Sequence, residues 1–317
     1  MPNLQHLEGR RKSAVMTNAI CVLFWGLSFI SIKIAVPVFQ PMTLGAVRFA
    51  IAIVLLFAMY RFSLKKSGEK NLLHNVKEDL PLLTASGLAG VTFYFFGENN
   101  GVALVTASEA SIIVAAIPVL TMTADWIAGK LFTHTGARLG WQQWLGALVS
   151  MAGVALVAGV SLSISGSIKG YLYMGGAALC WVFYGFLTKP LFNRNRKRIY
   201  VVFWQNFFGF LGFLPFAIFE RTKWGTPTLP VFAHVLFLAI CCSALGYWLY
   251  ANSLEILGVS VTSVFINLIP LVTVIAGFFI LGDRLMPLQW IGGVLVLGGV
   301  YLTVLPKKVL NVKKHVV

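Results

Sequence analysis

Acidic residues are scarce in this chain. Aspartate and glutamate together number 10 among 317 residues, charged side chains of both signs make up 11%, and there are four cysteines and five histidines. Each shortage excludes something. So few charges, beside 58% hydrophobic residues and a mean hydropathy of +0.83, rule out an ordinary water-soluble globular domain. Cys21, Cys180, Cys241 and Cys242 all fall inside apolar runs with no C-x-x-C spacing, so neither a disulfide framework nor a metal site is indicated. His6, His74, His134, His234 and His315 lie in tails, loops or a helix end, without a His-x-x-x-His or Gly-x-Ser-x-Gly context. An intramembrane enzyme would need such an assembly. No catalytic group, metal or cofactor is expected.

What the chain does have is a succession of apolar stretches about 20 residues long, the length at which a helix crosses a bilayer. Polar punctuation divides them into ten predicted helices, at roughly 15–36, 42–61, 81–104, 107–131, 142–160, 168–189, 200–219, 230–254, 258–281 and 287–305. Pro41, Pro81, Pro230 and Pro287 stand near helix starts, where a missing N–H costs little. Pro118 and Pro270 lie inside the fourth and ninth helices, where each removes a helix bond and offers a hinge. The first apolar run follows Arg10, Arg11 and Lys12 as a signal peptide would, but it is about 22 residues long and lacks a small-residue cleavage site, so it reads as a retained helix.

The net charge of +15 is distributed as a topology signal. With the chain starting inside and crossing ten times, the inner segments collect Arg10, Arg11, Lys12, Arg61, Lys65, Lys66, Lys70, Lys77, Lys130, Arg138, Lys189, Arg194, Arg196, Lys197, Arg198 and the tail lysines Lys307, Lys308, Lys313 and Lys314. The outer segments collect only Lys169, Arg221, Lys223 and Arg284. This bias places both termini in the cytoplasm, in a multi-pass protein of the cytoplasmic membrane, with weak attraction to anionic membrane lipid as a by-product. No RNP, zinc or helix-turn-helix pattern supports nucleic acid as a partner.

The stretches LFWGLSFISIK (23–33) and LCWVFYGFLTK (179–189) each put a lysine eight residues after a tryptophan. Aligning them lays Trp25 on Trp181, Ser28 on Tyr184 and Lys33 on Lys189. Farther along, EASIIVAAIPVLT (109–121) matches VTSVFINLIPLVT (261–273), and WLGALVSMAGVAL (144–156) matches WIGGVLVLGGVYL (290–302). The fold class expected is therefore an all-α membrane protein, with ten transmembrane helices formed by two five-helix repeats, residues 1–161 and 168–306, around a central cavity. Residues 307–317 form a basic cytoplasmic tail. Five is odd, so the second repeat enters the membrane inverted relative to the first.

The same residues carry a resemblance that covers nearly the whole chain. WGLSFISIK, Pro41, Arg48-Phe49, ALVTASEASIIVAAIP and QQWLGALVSMAGVAL resemble one EamA-type domain of the drug/metabolite transporter superfamily, and 251–302 resembles a second. The resemblance implies a ten-helix secondary transporter, usually an exporter of small metabolites, with substrate bound between the two halves. One departure is visible: where the family's first repeat often has Gly-Glu-Arg after its fourth helix, this chain reads GKLFTHTGAR. Lys130 stands in the acidic slot, which leaves Asp283 without a symmetrical counterpart.

An ionisable side chain near the bilayer centre costs roughly 2.5 to 3.5 kcal/mol unless it faces water or a partner, so each one within a span needs a reason. Glu98, in YFFGENNGVAL, follows Tyr94 by one helical turn and precedes Asn99 and Asn100. It binds a cationic group of the substrate or exchanges a proton, or it is a structural partner for Arg48 or Lys33. Arg48 and Lys33 in turn anchor an anion, or they snorkel or pair between helices. Lys189 is closer still to the cytoplasmic end. Asp125 shares a helix face with Ser111 and Pro118 and either lines an inner vestibule or pairs with Lys130. Glu109 and Glu255 sit at helix ends as terminal or gate residues.

Trp25 with Ser28 and Trp181 with Tyr184 occupy equivalent faces and form candidate walls of a shared cavity suited to an apolar or aromatic body. Tyr247, Trp248 and Tyr250 add to it, Tyr250 being the counterpart of Glu98. Ser111, Ser263, Asn267, Asn252, Gln205 and Asn206 either hydrogen-bond a ligand or link packed helices. The function these features favour is secondary active transport of a small metabolite, an amino acid or related amphipathic compound, by alternating access, with or without coupling to protons. Multidrug or organic-cation efflux is the second reading; a channel or lipid scramblase shares the composition. A monomer or weak homo-oligomer suffices.

Overall fold

In a bilayer an apolar run satisfies its backbone polar groups by coiling into a helix. Helices are the only regular structure in the computed structural model among its described residues, which are 4–69, 71–105, 110, 113–131, 140–157, 167–281 and 286–305. In chain order they are α1 (Leu4–Phe39), α2 (Pro41–Lys66), α3 (Val76–Val102), α4 (Ile117–Leu131), α5 (Trp141–Val157), α6 (Ile168–Asn193), α7 (Arg198–Glu220), α8 (Leu229–Leu257), α9 (Val259–Val264, a 3-10 turn Phe265–Asn267, then Leu268–Leu281) and α10 (Pro287–Val304). Eight of these are long and apolar enough to cross a membrane, and α5 is a shorter apolar helix. The protein is a multi-pass membrane protein. The predicted fourth and fifth spans run partly into residues outside those described.

Several ends differ from the sequence reading. α1 starts at Leu4 rather than near 15, because its polar first turns have a partner: Arg11 donates to the Val304 carbonyl at the end of α10. α3 starts at Val76, so Pro81 lies inside it rather than at its start. The carbonyl that Pro81 leaves unserved belongs to Lys77, still in the first turn. Pro118 and Pro270 are also relocated: each is the second or third residue of a helical segment that begins afresh at Ile117 or Leu268, after a turn at 115–116 or the 3-10 turn at Phe265–Asn267. A proline ring clashes with the carbonyl four residues back, and the α-helical ladder is interrupted just there in both halves.

The halves repeat a second irregularity. α3 widens into a π-helical segment at Leu88–Phe93, and α8 does so at Leu238–Leu245; carrying the 152-residue shift of the 109–121 match back along the chain lays the first on 240–245, within the second. The packing obeys the same exchange. α1 packs on α8 and its counterpart α6 on α3; α1 also meets α9, and α6 meets α4; α5 packs on α10 and α2 on α7. At the α5–α10 contact a methyl on Gly146, Gly153, Gly292 or Gly299 would come within 2.7 Å of atoms on the opposite helix, so these glycines permit a backbone approach no other residue allows. Gly298 points into open space instead. The Gln-Trp motif has the same role twice: Gln143 Oε1 accepts from Gly140 N at 2.8 Å, and Gln289 Oε1 accepts from Met286 N at 2.9 Å, each closing a helix start.

Opposite ends of the bundle are fastened differently. At the basic end, the fully buried Asp79 carboxylate accepts from Arg194 Nη1 at 2.7 Å, Arg196 Nε at 2.6 Å and the Tyr200 hydroxyl at 3.0 Å, which ties the α6–α7 connection to the start of α3. At the other end, Glu220 accepts from the backbone N–H groups of Met42 and Thr43 at 3.0 and 2.7 Å. A carboxylate from α7 thus caps the positive N-terminus of α2.

Candidate functional site

Arg48 projects from α2 into the middle of the bundle and is 1% exposed. Its Nε donates to Ser243 Oγ at 2.8 Å, in the π-helical segment of α8, and its Cζ lies 4.4 Å from the Phe95 ring centroid. That ring face supplies part of what water would have given the cation. Its Nη1 is buried with no hydrogen-bond partner among the described residues. Glu98, 5% exposed on α3, accepts instead from the Tyr94 hydroxyl at 2.9 Å. A buried cation and a buried carboxylate therefore each bond a neutral hydroxyl rather than one another.

Both line one central cavity, constricted to about 20 Å³, room for a single water. Trp25, Ser28 and Phe29 of α1, Tyr94 and Phe95 of α3, Trp181 of α6 and Tyr247 of α8 make up its walls, and Ile117, Ile266 and Ile269 close it from α4 and α9. The two equivalent tryptophans meet edge to face, ring centroids 5.2 Å apart at 87°. Trp25 donates to the Cys242 carbonyl at 3.0 Å and Trp181 to the Tyr250 hydroxyl at 3.2 Å. The carbonyls that a π-helical turn leaves off the usual ladder become acceptors: Trp25 uses one in α8, and Tyr247 OH donates to the Gly90 carbonyl in α3 at 2.6 Å. Behind the tryptophans, Tyr184 and Tyr250 stack with centroids 6.4 Å apart.

The other sequence candidates separate from this group. Lys33 is exposed on α1 and does not line the cavity, and Lys189 is half-buried near the basic end of α6. Asn100 donates to the Phe96 carbonyl of its own helix at 2.8 Å, and Ser263 to that of Ser260, also at 2.8 Å. Asn267 Nδ2 donates to Ser150 Oγ at 2.7 Å, and Gln205 Nε2 to Ser86 and Thr188, both at 2.8 Å, so these amides link helices. Asp125 is buried and accepts from Ser260 Oγ at 2.8 Å on α9, while Lys130 lies over the Trp126 ring at 3.9 Å. Ser111, Glu109 and Asp283 lie outside the described residues.

Glu255 and Asn252 belong to a separate constellation at the basic end. Glu255 pairs with Arg198 at 2.9 Å and with Arg10 at 3.9 Å. Asn252 accepts from Arg198 and donates to Thr17 Oγ1 at 2.8 Å. The network joins α1, α7 and α8 and lies between a cavity of about 880 Å³ and another of about 490 Å³, both lined by Arg198 and Trp248.

Sequence reasoning missed Ser243, Phe95, Phe29 and the three isoleucines. For Ile117 and Ile269 a signal was present, since each directly precedes the proline repeated in the two halves. Ser243 becomes a partner of Arg48 only through the π-helical turn, which no spacing rule anticipates.

A model described as the EamA-like transporter family matches residues 12–159 and again 168–305. Among similar proteins, an uncharacterized transporter of Archaeoglobus fulgidus is 27% identical over 286 residues, 90% of this chain and 96% of its own. A probable terminal-alkyne amino-acid exporter of Streptantibioticus cattleyicolor is 25% identical, covering 91% and 92%, and the uncharacterized transporter YetK of Bacillus subtilis is 24% identical, covering 95% and 90%. A solved crystal structure superposes with a TM-score of 0.69 at 21% identity, over 92% of this chain and 97% of that one, a likeness of fold.

Proposed function

Because the chain belongs to the EamA-like transporter family, we propose that this transporter moves an amphipathic zwitterion, an amino acid or close relative, out across the cytoplasmic membrane, binding it between Arg48 and Glu98. The observation that carries this reading is that neither charge takes part in an ion pair among the described residues. Among the described residues Arg48 keeps a buried Nη1 without a hydrogen-bond partner, and Glu98 accepts from the hydroxyl of Tyr94. Burying an uncompensated charge is expensive. A ligand carboxylate on Arg48 and a ligand ammonium on Glu98 would complete both, with the tryptophans against its apolar body. The name of the S. cattleyicolor relative, an amino-acid exporter, agrees in class.

Alternating access is the mechanism that fits two halves related by inversion about a midplane site. With both termini inside, as the charge bias favours, the Glu220 cap closes the outer side and the Arg198–Glu255 network guards the inner one. Glu98 can carry a proton in place of the ligand amine, which couples transport to the pH gradient.

A second reading, efflux of an organic cation, draws on the Trp25, Trp181 and Tyr247 faces beside Glu98. Counterflow in proteoliposomes decides, using amino acids, purines, organic cations and sugar phosphates with and without an imposed pH gradient. The proposal expects saturable exchange of a zwitterion class; exchange of cations alone would replace it with the second reading.

A further inference from the structure

Val54, Ala58, Phe62 and Lys66 follow one another along an inclined ridge of α2 at four-residue spacing. Val54 is 71% exposed and Phe62 72%, and Ala58 and Lys66 are exposed as well. Twelve residues of helix rise about 18 Å, close to one leaflet's share of a hydrocarbon core roughly 30 Å thick. The stripe is apolar for three turns and then cationic. At its basic end it forms one side of the cavity of about 880 Å³ bounded by α2, α8 and the α6–α7 connection.

The lining of that cavity carries four cations, Lys66, Arg196, Lys197 and Arg198, against one carboxylate, Glu255. Three of the cations are held in place from behind. Arg196 uses Nε and Nη2 on Asp79 and Glu78, Arg198 uses Nε on Glu255 and Nη1 on Asn252, and Lys197 reaches Ser67 Oγ at 2.7 Å and Glu69 at 3.5 Å. Each guanidinium keeps its remaining Nη, and Lys66 takes part in none of the ion pairs among the described residues. Donors fixed in this way around a cavity suit an oxyanion with several acceptor oxygens.

We infer that the cavity seats the headgroup of one anionic phospholipid, its phosphodiester among Lys66, Lys197 and the remaining guanidinium edges, and an acyl chain along Phe62, Ala58 and Val54. A free phosphate would use the cations and not the apolar stripe, and a zwitterionic lipid would bring its own cation against Lys66 and the remaining guanidinium edges.

Native mass spectrometry of the purified full-length protein tests this, titrating phosphatidylglycerol against phosphatidylcholine with inorganic phosphate and glycerol 3-phosphate as competitors. Phosphatidylglycerol is expected to be retained at about tenfold lower concentration than phosphatidylcholine, undisturbed by millimolar competitor. Lys66→Gln with Lys197→Gln is expected to weaken its retention about 30-fold, and Lys65→Gln to leave it within twofold, as an order-of-magnitude expectation. Equal retention of the two lipids, wild-type retention by the double variant, or displacement by inorganic phosphate would each overturn the assignment. Should the double variant not be monodisperse, Phe62→Gln on the exposed stripe serves instead: weaker phosphatidylglycerol retention is expected, and unchanged retention overturns it.

Discussion

At Gly90 a methyl group would meet the Tyr184 ring at 2.3 Å, whereas at Gly176 it would meet nothing within 4 Å. Gly90→Ala is therefore expected to destabilise the protein by about 1–3 kcal/mol through overpacking, and Gly176→Ala to be neutral or slightly stabilising through helix propensity. Thermal unfolding of the purified protein distinguishes them, and equal midpoints would contradict the packing described. The pairing of Tyr94 with Glu98 was legible from their four-residue spacing, because one helical turn places both on one face. The arrangement of Arg48 was not, since its partners come from α3 and α8, far away in sequence. Lys33 is the converse case: the repeated Trp-to-Lys spacing singled it out, and of the two readings offered for it, its exposed place outside the cavity that Trp25 lines fits the snorkelling one.

Among the elements, the connection between α6 and α7 is anchored on the buried carboxylate of Asp79, with Glu78 and Glu69 as further, more exposed partners. Asp79→Asn keeps the shape but removes the charge that Arg194, Arg196 and Tyr200 address. A loss of about 2 kcal/mol is expected, read as a lower unfolding midpoint in detergent; an unchanged midpoint would mean the cluster contributes nothing net, its attraction cancelled by the cost of desolvating the buried carboxylate. The sequence did not single out Asp79, because Pro81 drew the expected helix start past it. The paired breaks before Pro118 and Pro270 make a kinetic prediction. Replacing both prolines by alanine lets the helices run straight, so turnover is expected to fall severalfold, an order-of-magnitude expectation for a gating step, with KM little changed. Unchanged turnover would remove the hinge role. The prolines themselves were plain in the sequence; the paired π-helical segments were not, since nothing in LAGVTF or LAICCSAL departs from ordinary apolar helix.

For the molecule as a whole, two copies of one five-helix unit were readable from three aligned stretches, because motifs that pack on each other in a repeat keep their residue types. The exchange of packing partners, α1 on α8 and α6 on α3, could not be read, since it is a property of how the copies interlock. That interlocking brings Trp25 and Trp181 together and sets Arg48 beside Glu98 at the centre. If Glu98 also carries the coupling proton, Glu98→Gln should leave a folded protein whose counterflow no longer responds to external pH; retention of the wild-type pH response would exclude that role.

The central claim is that Arg48 holds the anionic end of the substrate and Glu98 the cationic end. Its most direct test is competition in counterflow by the transported amino acid, its decarboxylated amine and its deaminated acid, against wild type, Arg48→Gln and Glu98→Gln. Each charge is expected to contribute about 1.5–3 kcal/mol, so wild type should prefer the amino acid over either truncated analogue by about 10- to 100-fold. Arg48→Gln should lose only the preference over the amine, and Glu98→Gln only the preference over the acid. If both variants lose both preferences together, or neither variant alters them, the two residues do not divide the ligand between them and the account is wrong.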